Sequence, residues 1–155
     1  MDYNDLIRAR KSCREYTGAP IPEDVMSKIL DATNYTPSAG DLQAFIVHKI
    51  DDRDTLKHLA AAAVNQTWIS EAAAALVFSL DHNKNVSRYR ERGYVYAFQD
   101  ATIAACYAQL SASDLEVDNC LVGSFDPQIV YNLIQETRPG VVPVLILVLG
   151  YAKNI

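Results

Sequence analysis

The segment Val142–Leu149 (VPVLILVL) runs for eight residues without a polar side chain. A strand apolar at every position exposes no face to water, so it must lie inside a sheet with neighbours on both sides. That requirement excludes any fold built from helices alone. The chain has 155 residues, half of them apolar and 21% charged, which makes one globular domain with a substantial core. Domain organisation is therefore read as a single unit over 1–155, without repeats or linkers.

Other elements follow from local signals. A short helix is predicted over about Tyr3–Ala9. A second begins at Pro22 in the first helical position, with Glu23 and Asp24 suiting its positive end and Val25, Ile29 and Ala32 on one face. It should stop near Tyr35, because Pro37 disfavours a helical Thr36. Ala44–Ile50 reads as a strand, Arg53–Ala63 as a helix, with a shorter helix from about Gln66, and Ala74–Leu80 as a buried strand. Tyr94–Ala112 is the longest helical pattern, with Phe98, Ala101, Ala105 and Ala108 on one apolar face and Ile103 and Tyr107 on another. Glu116–Val122 reads as a strand. Asp126 followed by Pro127 opens a helix to about Glu136. Helices outnumber strands and do not alternate with them, so the class is α+β.

Fourteen basic residues stand against 19 acidic ones, a net charge of −5, which argues against nucleic acid or an anionic membrane as partner. No run has the length of a membrane span, and the first residues lack a signal core; a cytoplasmic protein is expected. Cys13, Cys106 and Cys120 are too widely spaced for a zinc site and odd in number, so they read as thiols. The scattered histidines His48, His58 and His82 select no metal site, and His48, inside a strand pattern, reads as structural. No hydrolytic motif is present, and no metal is expected. If such a chain is an enzyme, a bound cofactor is expected to carry the chemistry.

Three segments stand out. Arg8, Arg10, Lys11 and Arg14 put four of the 14 basic residues into seven positions around Ser12. They either offset the end of a short helix or bind phosphate, since guanidinium forks and a hydroxyl satisfy several anionic oxygens together. Thr36–Phe45 (TPSAGDLQAF) is either an ordinary turn or a place where small residues let a ligand approach the backbone. Val122–Pro127 (VGSFDP) is a capped helix start, or a source of free N–H donors.

Taken in order, these segments resemble the FMN-dependent nitroreductase family. Arg10–Tyr16 (RKSCREY) resembles its Arg-Arg-Ser-x-Arg-x-Phe opening, and TPSAGDLQAF resembles its Pro-Ser-Ala-Gly-Asn-x-Gln-Pro-Trp loop. Asn65–Asp81, Phe98–Asp126 and the final VVPVLILVLGYA resemble the following helix and strand, the central helix and the last core strand. The resemblance implies a mainly antiparallel sheet flanked by helices, and an intertwined homodimer with FMN at its interface. It implies that Arg10, Lys11 and Ser12 meet the phosphate and Arg14 the flavin N1–C2 edge. Pro37, Ser38, Ala39 and Gly40 would line the ring from the partner subunit, with Asp41 and Gln43 close by. Asn65 or Gln66 would bind the pyrimidine edge or ribityl chain, and Gly123 and Ser124 would approach N5. The implied activity is ping-pong oxidoreduction, with NAD(P)H as donor and a nitroaromatic, quinone or similar small molecule as acceptor.

The chain departs from the family pattern at Asp41 (Asn in relatives), at Ala44–Phe45 (Pro-Trp) and at Ala152 (Pro). It also reads as a short form, ending soon after Lys153, which is left as the one C-terminal cation for the phosphate. Weakened FMN binding is the expectation, and a non-catalytic flavin-binding or flavin-sensing dimer is the alternative function. Lys84–Tyr96 is either a solvated loop or a pocket wall, with Tyr89, Tyr94 and Tyr96 to stack on an acceptor and Arg88, Arg90 and Arg92 to attract dinucleotide phosphates.

Overall fold

A computed structural model describes residues 1–154. Four strands form one sheet in the order β1-β2-β4-β3: β1 Phe45–Ile50, β2 Ala74–Asp81, β3 Asp118–Val122 and β4 Val141–Gly150. All three pairings are antiparallel. The uninterrupted apolar strand β4 lies inside the sheet between β2 and β3, as its composition requires. β2 is buried at all eight positions.

Helices cover both faces. On one, α2 (Glu23–Ala32) and the long α5 (Arg92–Asp114) enclose Leu76, Phe78, Leu80, Leu147 and Leu149. On the other, α3 (Arg53–Ala62), the 3-10 turn Thr67–Glu71 and α6 (Pro127–Leu133) enclose Ala75, Val77, Ile146 and Val148. Ala97, Ala101, Ala104, Ala105, Ala108 and Ala112 of α5 are completely buried. Such short side chains let the helix lie close to the sheet. The architecture is thus the α+β arrangement expected, an antiparallel sheet flanked by helices.

Side-chain capping fixes three of the six α-helix starts among the described residues. Asp2 accepts from the N–H of Asn4 at the head of α1 (Tyr3–Ala9), Asp52 accepts from Thr55 in α3, and Asp126 accepts from Gln128 and Ile129 in α6. Three expectations need correction. Pro22 is the residue before α2 rather than its first, and the helix tightens into a 3-10 turn, Thr33–Tyr35, ahead of Pro37. The helix expected from Gln66 is the short 3-10 turn. Phe98 does not join the core with Ala101; it is 48% exposed on the outer face of α5.

Candidate active site

Arg8 lies in the last turn of α1 and Arg10 caps its end, whereas the segment that follows, with Arg14, is seated by the sheet. Cys13 N–H donates to Asn119 O (2.9 Å), Thr17 N–H to Tyr151 O (2.9 Å) and Lys153 N–H to Glu15 O (3.2 Å), so Ser12–Thr17 is stitched to the ends of β3 and β4. Tyr16 locks the stitch. It is 1% exposed, its hydroxyl donates to Cys13 O at 2.8 Å, and burial keeps it protonated by pushing its pKa well above the usual phenol value. Gly150 makes room for it, since a Cβ there would come within 2.8 Å of the Tyr16 ring.

This seat leaves the cations free. Among the described residues Arg8, Arg10, Lys11 and Arg14 make no ion pair. Lys11, Ser12, Arg14 and Lys153 line an open cavity of about 390 Å³. Arg10 lines an adjoining one of about 310 Å³, with Lys11 and Asp118 common to both. The carboxylate of Asp118 accepts from Ala152 N–H at 2.9 Å. Lys153 pairs with Glu71 at 3.0 Å, a half-exposed contact worth at most about 1 kcal/mol and readily exchanged for a stronger anion. Unpaired guanidiniums beside a hydroxyl are a donor set suited to a phosphate ester.

Two further predicted segments share this side of the molecule. Cys13, Trp68 and Phe125 pack on the same apolar cluster around Val122, Ile146 and Val148, and the Tyr16 and Trp68 rings lie 6.3 Å apart. Asp126 N–H donates to Ala62 O, joining the end of α3 to the turn after β3. Asn65 is exposed in a left-handed conformation (φ 53°), while the Gln66 amide is turned back onto Ala63 O. Gly123 and Ser124 are exposed, and neither backbone N–H donates to another described residue.

The fourth segment stands apart. Thr36–Ala44 lies ahead of edge strand β1, whereas Ser12 bridges to Asn119 on the opposite edge strand, β3. Three inter-strand spacings separate those edges, roughly 14 Å. The loop itself is tightly built. Gly40, Asp41 and Gln43 all have positive φ (62°, 57° and 42°), and Asp is among the few residues that tolerate it. Ser38 Oγ accepts from Gln43 N–H (2.8 Å), and the Gln43 amide donates to Asn34 O and Thr36 O. The Gln43 and Ser38 side chains therefore shape the loop. Pro37, Gly40 and Asp41 are exposed, and Ala39 is half-buried.

Lys84–Tyr96 is mostly helical rather than a loop, and most of its residues are exposed. It comprises the end of a 3-10 turn, α4 (Val86–Tyr89) and the start of α5. The Arg88 guanidinium lies over the Tyr89 ring and that of Arg92 over Tyr96, while the two tyrosines meet edge to face at 5.0 Å. This group closes over Gly40, where a Cβ would meet Tyr89 Oη at 2.5 Å.

Two residues escaped the sequence reading. Asp100, 2% exposed on α5, accepts from the backbone of Ala39 and Ala44; nothing in the periodicity of α5 marks it. His48, read as satisfied, has a buried Nδ1 without a hydrogen-bond partner, and burial lowers its pKa below 6.5.

Among curated proteins, the chain is 25% identical over 179 residues to the putative NAD(P)H nitroreductase YodC of Bacillus subtilis, covering 96% of this chain and 88% of that one. It is 29% identical over 84 residues to the FMN reductase [NAD(P)H] of the same organism, covering 52% of this chain and 34% of that one. Among solved structures, NfrA2 of B. megaterium superimposes with a TM-score of 0.90 at 22% identity, covering 97% of this chain and 66% of that one. That likeness places the fold, and the chain spans about two thirds of the length of NfrA2. The sequence model of the nitroreductase family matches residues 7–84 and 53–151. Together these spans cover all but the two ends of the sequence, and the chain belongs to the nitroreductase family.

Proposed function

We propose that the chain is an FMN-dependent oxidoreductase that takes electrons from NADH or NADPH and passes them to a nitroaromatic, quinone or similar small acceptor. The family supports this, as do the names of the relatives, an NAD(P)H nitroreductase and an FMN reductase. The observation that carries it is that Arg10, Lys11 and Arg14, without an ion pair among the described residues, lie in the segment bridged to β3, the strand that leads into Gly123 and Ser124, whose N–H groups donate to no other described residue.

These residues fit a flavin mononucleotide. Arg10, Lys11 and Ser12, with Lys153 released from Glu71, would hold the phosphate. Arg14 would place a fixed cation at the N1–C2 edge, where negative charge collects on reduction. The N–H groups of Gly123 and Ser124 would donate at N5, and Asn65 or Gln66 at the pyrimidine or ribityl part. Bound FMN supplies hydride acceptance from the nicotinamide and its delivery to the acceptor. The chain's own task is to hold the ring, stabilise its edge and limit water. Donor and acceptor would use one cleft in turn.

The loop Pro37–Asp41 reaches such a ring only from a second copy, because its own cations lie at the far edge of the sheet. The working unit is then a homodimer with two sites. Initial rates against acceptor at several NADH and NADPH concentrations test the activity. Parallel double-reciprocal lines are the expected result. FMN binding without turnover would instead favour a flavin sensor, a reading to which the exposed Asp41 carboxylate lends support. No FMN binding would rule out both.

A further inference from the structure

We propose that Asp100 is a positioning residue that acts in trans: its carboxylate sets where the loop Ser38–Ala44 stands over the flavin held by the other copy's Arg10–Arg14 segment. This rests on the two-copy reading above.

The carboxylate is 2% exposed, and among the described residues it makes no ion pair. A buried charge without a counterion is costly, and here its identified partners are two backbone amides. Oδ1 accepts from Ala39 N–H at 3.4 Å and Oδ2 from Ala44 N–H at 3.1 Å. Those amides bracket the segment containing the left-handed residues Gly40, Asp41 and Gln43. The loop's other side-chain bonds, from Gln43 to Ser38, Asn34 and Thr36, are internal or reach only the preceding turn. Arg88 Nη1 also reaches Gly40 O, at 3.5 Å, but on an exposed surface and from α4, not α5. Asp100 is therefore the buried side-chain tie from the loop to α5.

The residue type follows from the geometry. Two N–H groups five residues apart need two acceptors on one short side chain, and a carboxylate supplies them. An amide supplies one acceptor and turns an NH₂ toward the other N–H. α5 packs against α2 and against the sheet, so a loop tied to it inherits the rigidity of the core. Asp100 touches neither ring nor substrate.

The test uses D100N and R14A as homodimers and as a hybrid dimer, co-expressed with two tags and purified through both. D100N is expected to fold, to bind FMN, and to lose on the order of tenfold to a hundredfold in kcat/KM for the acceptor. In the hybrid, Arg14 of the D100N chain meets the intact loop of the R14A chain. One site of the two is then native, and the hybrid recovers about half the wild-type rate. A merely structural defect would not be complemented by a second defect.

A hybrid no more active than either homodimer overturns the proposal, as does D100N with unchanged kinetics. If D100N is recovered unfolded, A39P tests the tie from the loop side. Ser38 is already extended (φ −152°, ψ 159°), as a residue before proline should be, and Ala39 opens a helical turn. The same loss and the same recovery with R14A are expected, and their absence is decisive against it. If wild-type protein binds no FMN at any concentration, the functional reading itself has failed, an outcome that D100N and A39P, expected to bind FMN, do not mimic.

Discussion

At the scale of single residues, the site depends on where charge is left uncompensated. Arg14 is exposed and without an ion pair among the described residues, and in the proposed function bound FMN would be its counter-charge. R14A should weaken FMN binding by about 1.5–3 kcal/mol, roughly tenfold to a hundredfold in Kd, as read by fluorescence titration. Thermal stability should hardly change, because no folded-state contact is lost. His48 makes the opposite kind of prediction. Burial disfavours its charged form, so its pKa in the folded chain lies below 6.5. Its unfolded counterpart binds a proton first, and stability is lost as pH falls from above 6.5 through the lower folded value. Urea midpoints measured from pH 7.5 to 5 should fall for the wild type and fall less for H48L. An equal slope for both would remove His48 as the cause.

At the scale of elements, much of the fold was legible because its signals are local. Asp126, read as the opener of α6, is its N-cap, and the apolar run Val142–Leu149 is the inner strand β4; Asp2 and Asp52 cap α1 and α3 in the same way without having been singled out. D126A should cost about 1 kcal/mol of stability and loosen the Gly123–Ser124 turn, which a thermal melt with FMN titration separates from a simple loss of fold. The 3-10 turns at Thr33–Tyr35 and Thr67–Glu71 were not legible as such, since their i→i+3 bonding leaves no distinct periodicity. Asp100 was hidden for a related reason. Its value lies in two amides 61 and 56 residues away in sequence, and no local pattern encodes that meeting. Phe98 was misplaced because helical spacing gives a face but not what covers it. With Tyr94 (43% exposed) and Val95 (40%), one turn earlier, Phe98 makes an apolar outer patch on α5. In the proposed homodimer this patch is the surface a second copy can bury. F98E should weaken self-association by about 1–3 kcal/mol, seen by sedimentation as dissociation at higher protein concentration.

At the scale of the whole molecule, the sheet itself separates the two halves of the proposed site. The cation segment is stitched to the β3 edge, and the Thr36–Ala44 loop precedes the β1 edge. In the proposed homodimer each copy carries both segments at opposite edges of its sheet, so cofactor binding and self-association would be linked equilibria. The most direct measurement is FMN binding followed across protein concentrations that span the dimer-to-monomer transition. The account predicts one FMN per chain in the dimer and a sharp loss of affinity as the dimer dissociates. Equally tight binding by the monomer, or no binding at any concentration, would contradict it.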